Sequence, residues 1–144
     1  MNNNKSLLVV DDDIAHRTML RILLDWEYEI FEADDGFTAI DKIQEHSFDL
    51  VIMDVRMIKL SGVDALVRIK ALKPAIPVVM MTAFWTQTAA DEARQKGAFD
   101  YLAKPFTRDE LRKVVKRAAD FFSASHDKPK DELEEDKKRS QLKG

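Results

Sequence analysis

The 144-residue sequence contains no cysteine. Disulfides, thiolate metal sites and a cysteine nucleophile are therefore excluded from its fold and its chemistry, and a cytoplasmic, redox-indifferent protein is expected. Neither sign of charge is in excess: 23 basic residues stand against 26 acidic ones, a net charge of −3. That balance offers no cationic footprint for phosphate backbones, so no direct nucleic-acid binding by this segment is expected. Long hydrophobic runs are missing too. After Met1 to Ser6 only four apolar residues precede Asp11, too few for a signal peptide or a membrane span, and no membrane partner is expected. Glycine and proline number four each, and no internal repeat is apparent. Those present punctuate: Pro74 and Pro77 bracket the entry to an apolar run, and Gly97 marks a helix stop.

What the chain does have is 45% hydrophobic and 34% charged side chains, enough for one domain of ordinary size. A chain of this length buries roughly two-thirds of its unfolded surface. Short aliphatic runs alternate five times with helical patterns, which argues for βαβ units around a parallel sheet. The expected strands are Leu7 to Val10, Glu29 to Ala33, Leu50 to Met53, Val78 to Met81 and Phe99 to Leu102. Runs such as Leu50-Val51-Ile52-Met53 suit strands covered on both faces, whereas Glu29 to Ala33 alternates and reads as an edge. The expected helices are Ile14 to Trp26, Gly36 to Glu45, Val63 to Leu72, Thr88 to Lys96 and Thr107 to Phe122. Thr107-Arg108-Asp109-Glu110 is a capping-box pattern that opens the last of them. From Ser123 to Gly144 aromatic residues vanish and six acidic charges cancel six basic ones. The expected organisation is a domain over 1–122 followed by a charged tail or linker over 123–144.

Ligands in open parallel sheets bind beyond the carboxyl ends of the strands. In this chain the first strand is followed by Asp11-Asp12-Asp13, the third by Asp54, the fourth by Thr82 and the fifth by Lys104-Pro105. Asp11, Asp12 and Asp54 brought together would repel, raising at least one pKa unless a cation sits among them. A few hard oxygen ligands, with room left for water and a phosphoryl group, favour magnesium over zinc. Asp13 has an ordinary alternative as a helix cap, but capping does not account for Asp54. Asp54 is the candidate nucleophile, able to accept a phosphoryl group as an acyl phosphate. Lys104 would supply positive charge and Thr82 a hydroxyl donor.

These residues resemble a known family. Leu8-Val9-Val10-Asp11-Asp12-Asp13, Asp54-Val55-Arg56-Met57 with Ser61-Gly62, Met81-Thr82-Ala83, and Lys96-Gly97-Ala98-Phe99-Asp100-Tyr101-Leu102-Ala103-Lys104-Pro105-Phe106 look like the receiver domain of two-component response regulators. The resemblance covers roughly residues 5–122 and is nearest to the nitrogen-regulation class of sigma-54-dependent activators. It implies a flavodoxin-like, doubly wound five-stranded parallel sheet of order 2-1-3-4-5 with five helices. It implies that Asp54 is phosphorylated by a sensor histidine kinase, with magnesium held by Asp11, Asp12, Asp54 and the backbone carbonyl of Arg56. Lys104 and the Ala83 backbone would contact the phosphoryl group, and the Lys104–Pro105 bond would be cis. Thr82 and Tyr101 would form the switch, altering the face made by helix 4, strand 5 and helix 5. Homodimerisation on phosphorylation and a transcriptional output would follow. The domain would be a phosphoacceptor switch that dephosphorylates itself slowly, not a turnover enzyme.

Two positions depart from the family's pattern. Ile58 stands where proline is usual, which restores an amide donor and frees the loop beside Asp54. Phe84-Trp85 places a tryptophan where a small residue is common, with packing against the fourth helix the ordinary expectation. A haloacid-dehalogenase-type phosphatase would need a second aspartate where Arg56 stands, and a flavodoxin a glycine- and hydroxyl-rich loop where Asp11 to Asp13 stand. His16, His46 and His126 have no ligand spacing and read as surface or ordinary helix positions, while Met53, Met57, Met80 and Met81 read as core and loop filling.

Overall fold

Strands whose side chains are apolar on both faces need cover on both, and that requirement shapes the molecule. The structure, a computed structural model, describes residues 5–126. In chain order the elements are β1 (Lys5–Val10), α1 (Ile14–Leu24), β2 (Tyr28–Ala33), α2 (Gly36–Glu45), β3 (Leu50–Asp54), α3 (Gly62–Leu72), β4 (Val78–Thr82), α4 (Gln87–Gln95), β5 (Asp100–Ala103) and α5 (Arg108–His126). The five strands are parallel in the order β2-β1-β3-β4-β5, so the expected doubly wound sheet is the one that forms and the alternating strand is an edge.

Side chains of the central strands point alternately to two cores. Leu8, Val10, Val51, Met53, Val78 and Met80 pack with Ala39, Ile43, Ala65, Leu66, Ile69, Ala90 and Ala93 of α2, α3 and α4. Leu7, Val9, Leu50, Ile52, Val79 and Met81 pack on the other face with Leu20 and Leu24 of α1 and with Leu111, Val115 and Ala118 of α5. Met53, Met80 and Met81 are fully buried, as core filling requires.

The helix starts follow from short polar side chains that accept orphan amides. Asp13, Asp35, Ser61 and Thr86 each cap a helix, and Thr107 and Glu110 close both halves of the capping box. Gly97 takes a φ of +107° after α4, a conformation that favours glycine. Helix α1 ends at Leu24 rather than Trp26, because the Asp25 and Glu27 amides turn back to Arg21 and Leu24. Helix α5 runs four residues beyond the expected boundary at Phe122, to His126. Its apolar stripe ends at Phe122, packed against the core, and one further turn of small and polar residues continues the helix. The rest of the charged tail, from Asp127, and the side chain of His126 lie outside the described residues.

The edge strand is fastened by charge. Arg17 and Arg21, one turn apart on α1, hold the two carboxylate oxygens of Glu32 at 3.0 and 2.7 Å. Burial pushes the Glu32 carboxyl up, but the hydrogen bonds and charges of the two guanidinium groups outweigh it and leave it below its ordinary value. A carboxyl lowered on folding stabilises the protein fully above its unfolded value, about 4.3, and that stabilisation is lost as the pH falls through the folded value. Glu32→Gln is therefore expected to cost about 1–2 kcal/mol at pH 7. Urea melts at pH 7 and pH 3 check this, the gap to wild type closing at the lower pH.

Candidate functional site

Strand register brings the site together. Val10 pairs with Met53, Asp54 with Met81, and Thr82 with Ala103. The carboxyl ends of four strands thus meet at one rim, with β1 and β3 adjacent where the strand order reverses. Asp54 and Thr82 are the last residues of their strands rather than the first beyond them. Asp11 follows β1 directly, its amide donating to the Ala33 carbonyl at 3.1 Å. Lys104 follows β5, its amide donating to the Thr82 carbonyl at 2.7 Å, and the Lys104–Pro105 bond is cis.

Asp11, Asp12 and Asp54 each present a carboxylate oxygen within 4.8 Å of the other two. Asp11 is fully buried and Asp54 nearly so, whereas Asp12 is exposed. The Lys104 ammonium lies 3.4 Å from both Asp11 Oδ2 and Asp54 Oδ1. One ammonium faces three carboxylates, and burial pushes the Asp54 carboxyl above its ordinary value. Lys104 opposes that rise, and the charges of Asp11 and Asp12 add to it. This donor set fits a hard divalent cation: oxygen atoms only, negatively charged, and underneutralised.

The surrounding backbone fixes these groups. Arg17 Nη1 donates to the Asp11 carbonyl at 2.6 Å, and the Asp13 amide donates to Asp11 Oδ1 at 2.9 Å. Asp13 caps α1 through Ala15, in keeping with its ordinary reading. The Gly62 amide donates to the Val55 carbonyl at 2.8 Å, and a Cβ at Gly62 would lie 2.2 Å from the Asp54 carbonyl oxygen. Only glycine permits that approach of α3 to the Asp54 backbone.

Not every expected residue joins the cluster. Thr82 is buried, with its hydroxyl accepting the Phe84 amide at 3.0 Å. Ala83 is exposed on the same loop. Tyr101 is buried in the core that also holds Ala90 and Ala93 of α4. The Arg56 guanidinium turns to the Phe84 ring, 3.9 Å from its centroid, and ties the β3–α3 loop to the β4–α4 loop. Trp85 keeps 42% of its surface exposed.

Two participants were not foreseen as such. The amide restored by Ile58 donates to Asp12 Oδ2 at 3.2 Å, so the freed backbone supports a carboxylate of the cluster. His16, read as an ordinary helix position, lies with Nδ1 3.2 Å from both Asp11 Oδ2 and the Lys104 ammonium. The available signal was its place three residues after the Asp13 cap, which sets its side chain over the helix start. His46 instead stacks on Phe31, 6.0 Å between ring centroids.

With this geometry in view, the family model described as "Response regulator receiver domain" matches residues 7–116. The chain belongs to that family. Among curated relatives, the receiver domain is 46% identical over 118 residues to the transcriptional regulatory protein ZraR of Escherichia coli (strain K12). The match covers 81% of this chain but only 27% of ZraR, so the chain spans about a quarter of that relative's length. It is 34% identical to sporulation initiation phosphotransferase F of Bacillus subtilis (strain 168), covering 79% of this chain and 93% of that protein. Among solved structures, NtrX from Brucella abortus superposes with a TM-score of 0.80 at 31% identity, covering 86% of this chain and 28% of NtrX. A receiver domain from Clostridium thermocellum gives 0.76 at 32% identity, over 81% of this chain and 94% of that one. The domain is thus a receiver of two-component signalling, its acidic cluster is of the kind with which receivers bind magnesium, and none of its described helices is long and apolar enough to cross a membrane.

Two consequences of the site's packing are measurable. Gly62→Ala is expected to cost about 2 kcal/mol or more, because backbone atoms stand where its methyl group must go; chemical denaturation measures the cost, and amide shifts at Asp54 and Val55 report the displacement. A carboxyl raised on folding destabilises the native state above that raised value, a penalty that fades as the pH falls toward its unfolded value, about 3.9. With divalent cations chelated, Asp54→Asn should therefore melt above wild type at pH 7, and calorimetry should show the difference shrinking as the pH falls toward 4.

Proposed function

We propose that this receiver domain takes a phosphoryl group on Asp54 from the phosphohistidine of a sensor histidine kinase and converts it into a change of surface. The observation that carries the reading is the meeting of Asp54 with Asp11, Asp12 and Lys104 at one strand rim. A carboxylate oxygen of Asp54 attacks phosphorus; the P–O bond forms as the P–N bond of the donor breaks, and the donor imidazole leaves with the bonding pair. Asp11, Asp12, Asp54 and the Arg56 carbonyl would hold magnesium, which supplies positive charge against the carboxylates and the arriving phosphoryl oxygens. Lys104 and the Ala83 amide face the phosphoryl group as donors. Water returns Asp54 to its carboxylate slowly, and the domain does not turn over small phosphate esters.

The readout uses Thr82 and Tyr101. Thr82 exchanges the Phe84 amide for the phosphoryl group, the β4–α4 loop follows, and Tyr101, already buried with Ala90 and Ala93 of α4, backs the rearranged loop. The face of α4, β5 and α5 is tied together by Asp100, which holds Arg94 of α4 at 3.3 Å and Arg117 of α5 at 2.7 Å. That face therefore moves as a unit and forms a homodimer on phosphorylation. Control of transcription in the cytoplasm is the output, in line with the printed description of ZraR as a transcriptional regulatory protein. The expected boundary of the receiver at residue 122 moves to the end of α5 at His126, with the following charged segment its tail or linker.

Intact mass after incubation with magnesium and acetyl phosphate tests this, with size-exclusion chromatography alongside. The wild type should gain one phosphoryl group and shift toward dimer, and Asp54→Asn should do neither. Equal uptake by Asp54→Asn would sink the assignment.

A further inference from the structure

His16 is bound into the site by contacts that the acceptor chemistry leaves unexplained. Three atoms surround the Lys104 ammonium: Asp11 Oδ2 and Asp54 Oδ1 at 3.4 Å, and His16 Nδ1 at 3.2 Å, the shortest of the three. An ammonium has three N–H groups and no lone pair, so a ring nitrogen that accepts from it must present its own lone pair. Nδ1 also lies 3.2 Å from Asp11 Oδ2, which can only accept. A proton on Nδ1 would serve Asp11 and oppose Lys104, whereas Lys104 can donate to both atoms at once. The far side of the ring favours the second arrangement. Nε2 lies 3.5 Å from Asp13 Oδ2, and the other Asp13 oxygen is held at the α1 cap by the Ala15 amide at 2.9 Å. Asp13 thus offers an acceptor for an Nε2–H, leaving the Nδ1 lone pair aimed inward.

We infer that His16 is a positioning residue for Lys104. This rests on the acceptor reading of Asp54. Two buried carboxylates alone would draw the ammonium down into a closed ion pair. His16 takes one of its N–H groups without adding another negative charge, and so holds Nζ at the mouth of the pocket, where an incoming phosphoryl oxygen arrives. A residue in the first turn of α1 therefore sets how well Lys104 is placed before phosphoryl transfer.

Two measurements test this, one of which needs neither metal nor phosphate. In the metal-free protein, long-range ¹H–¹⁵N correlation spectra should show His16 protonated at Nε2 and bare at Nδ1, with the Nδ1 resonance shifting in Lys104→Met. A proton on Nδ1, or no shift in Lys104→Met, overturns the inference. The second measurement is the rate of phosphoryl gain from acetyl phosphate with magnesium. Asn places its carbonyl oxygen where Nδ1 stands, Gln places its own nearer the Nε2 position, and Leu has no acceptor. His16→Leu and His16→Gln should react roughly tenfold more slowly than wild type, with His16→Asn within about twofold of it. The His16 side chain is 43% exposed, and thermal melts verify that the variants stay folded. Wild-type rates in His16→Leu, or a loss in His16→Asn as large as in His16→Leu, overturn the positioning role while leaving the acceptor reading intact. No uptake by the wild type defeats the acceptor reading instead, and the tautomer spectrum then decides the Lys104 contact by itself.

Discussion

Repulsion among like charges at the point where the strand order reverses is the constraint around which the molecule is arranged. Two nearly or fully buried carboxylates and one exposed carboxylate meet a single ammonium there. Such a cluster favours whatever brings more positive charge; burial raises the acceptor's affinity for protons, Lys104 opposes that rise, and the neighbouring carboxylates add to it. An isolated helix or loop could not hold these groups together. Parallel strands can, because the chain at three of the strand ends is anchored to the backbone of a neighbour: Asp11 through Ala33, Lys104 through Thr82, and Val55, just after the acceptor, through Met81.

The rest of the fold keeps that rim rigid on one side and movable on the other. Two-sided burial locks β1, β3 and β4, all of whose central residues are inaccessible to solvent. Gly62 lets α3 press its backbone against that of Asp54. The β4–α4 loop is held more lightly, by a hydroxyl–amide contact at Thr82 and a cation–π contact between Arg56 and Phe84. Interactions of these kinds contribute on the order of 1 kcal/mol each, small enough to be exchanged when a better partner arrives.

Much of this was legible in the sequence because the signals were tied to strand ends. Once Leu7 to Val10 and Leu50 to Met53 were read as strands, Asp11 and Asp54 followed as neighbours, and the register confirms their adjacency. Sequence order conveyed less about groups whose roles depend on where a side chain turns. His16 has no spacing motif, and its contacts exist because the Asp13 cap orients the first turn of α1 beside Lys104, 88 residues away. The Ile58 amide was recognisable as a restored donor, but its acceptor, Asp12, lies 46 residues earlier. The end of α5 was missed for a different reason: polar composition after Phe122 signals exposure, and an exposed helical turn has the same composition as a tail.

That longer helix has a mechanical consequence. Its 19 residues make a rod of about 28 Å at roughly 1.5 Å per residue. Leu111, near the cis junction that carries Lys104, is fully buried, and the helix is seated in the core from there to Ala119. Phe122 also packs against the core, so only the last turn reaches beyond that seat, and any rotation of the whole helix is largest there. A tilt of about 10° at Leu111 becomes roughly 4 Å of travel at His126, some 22 Å along the axis.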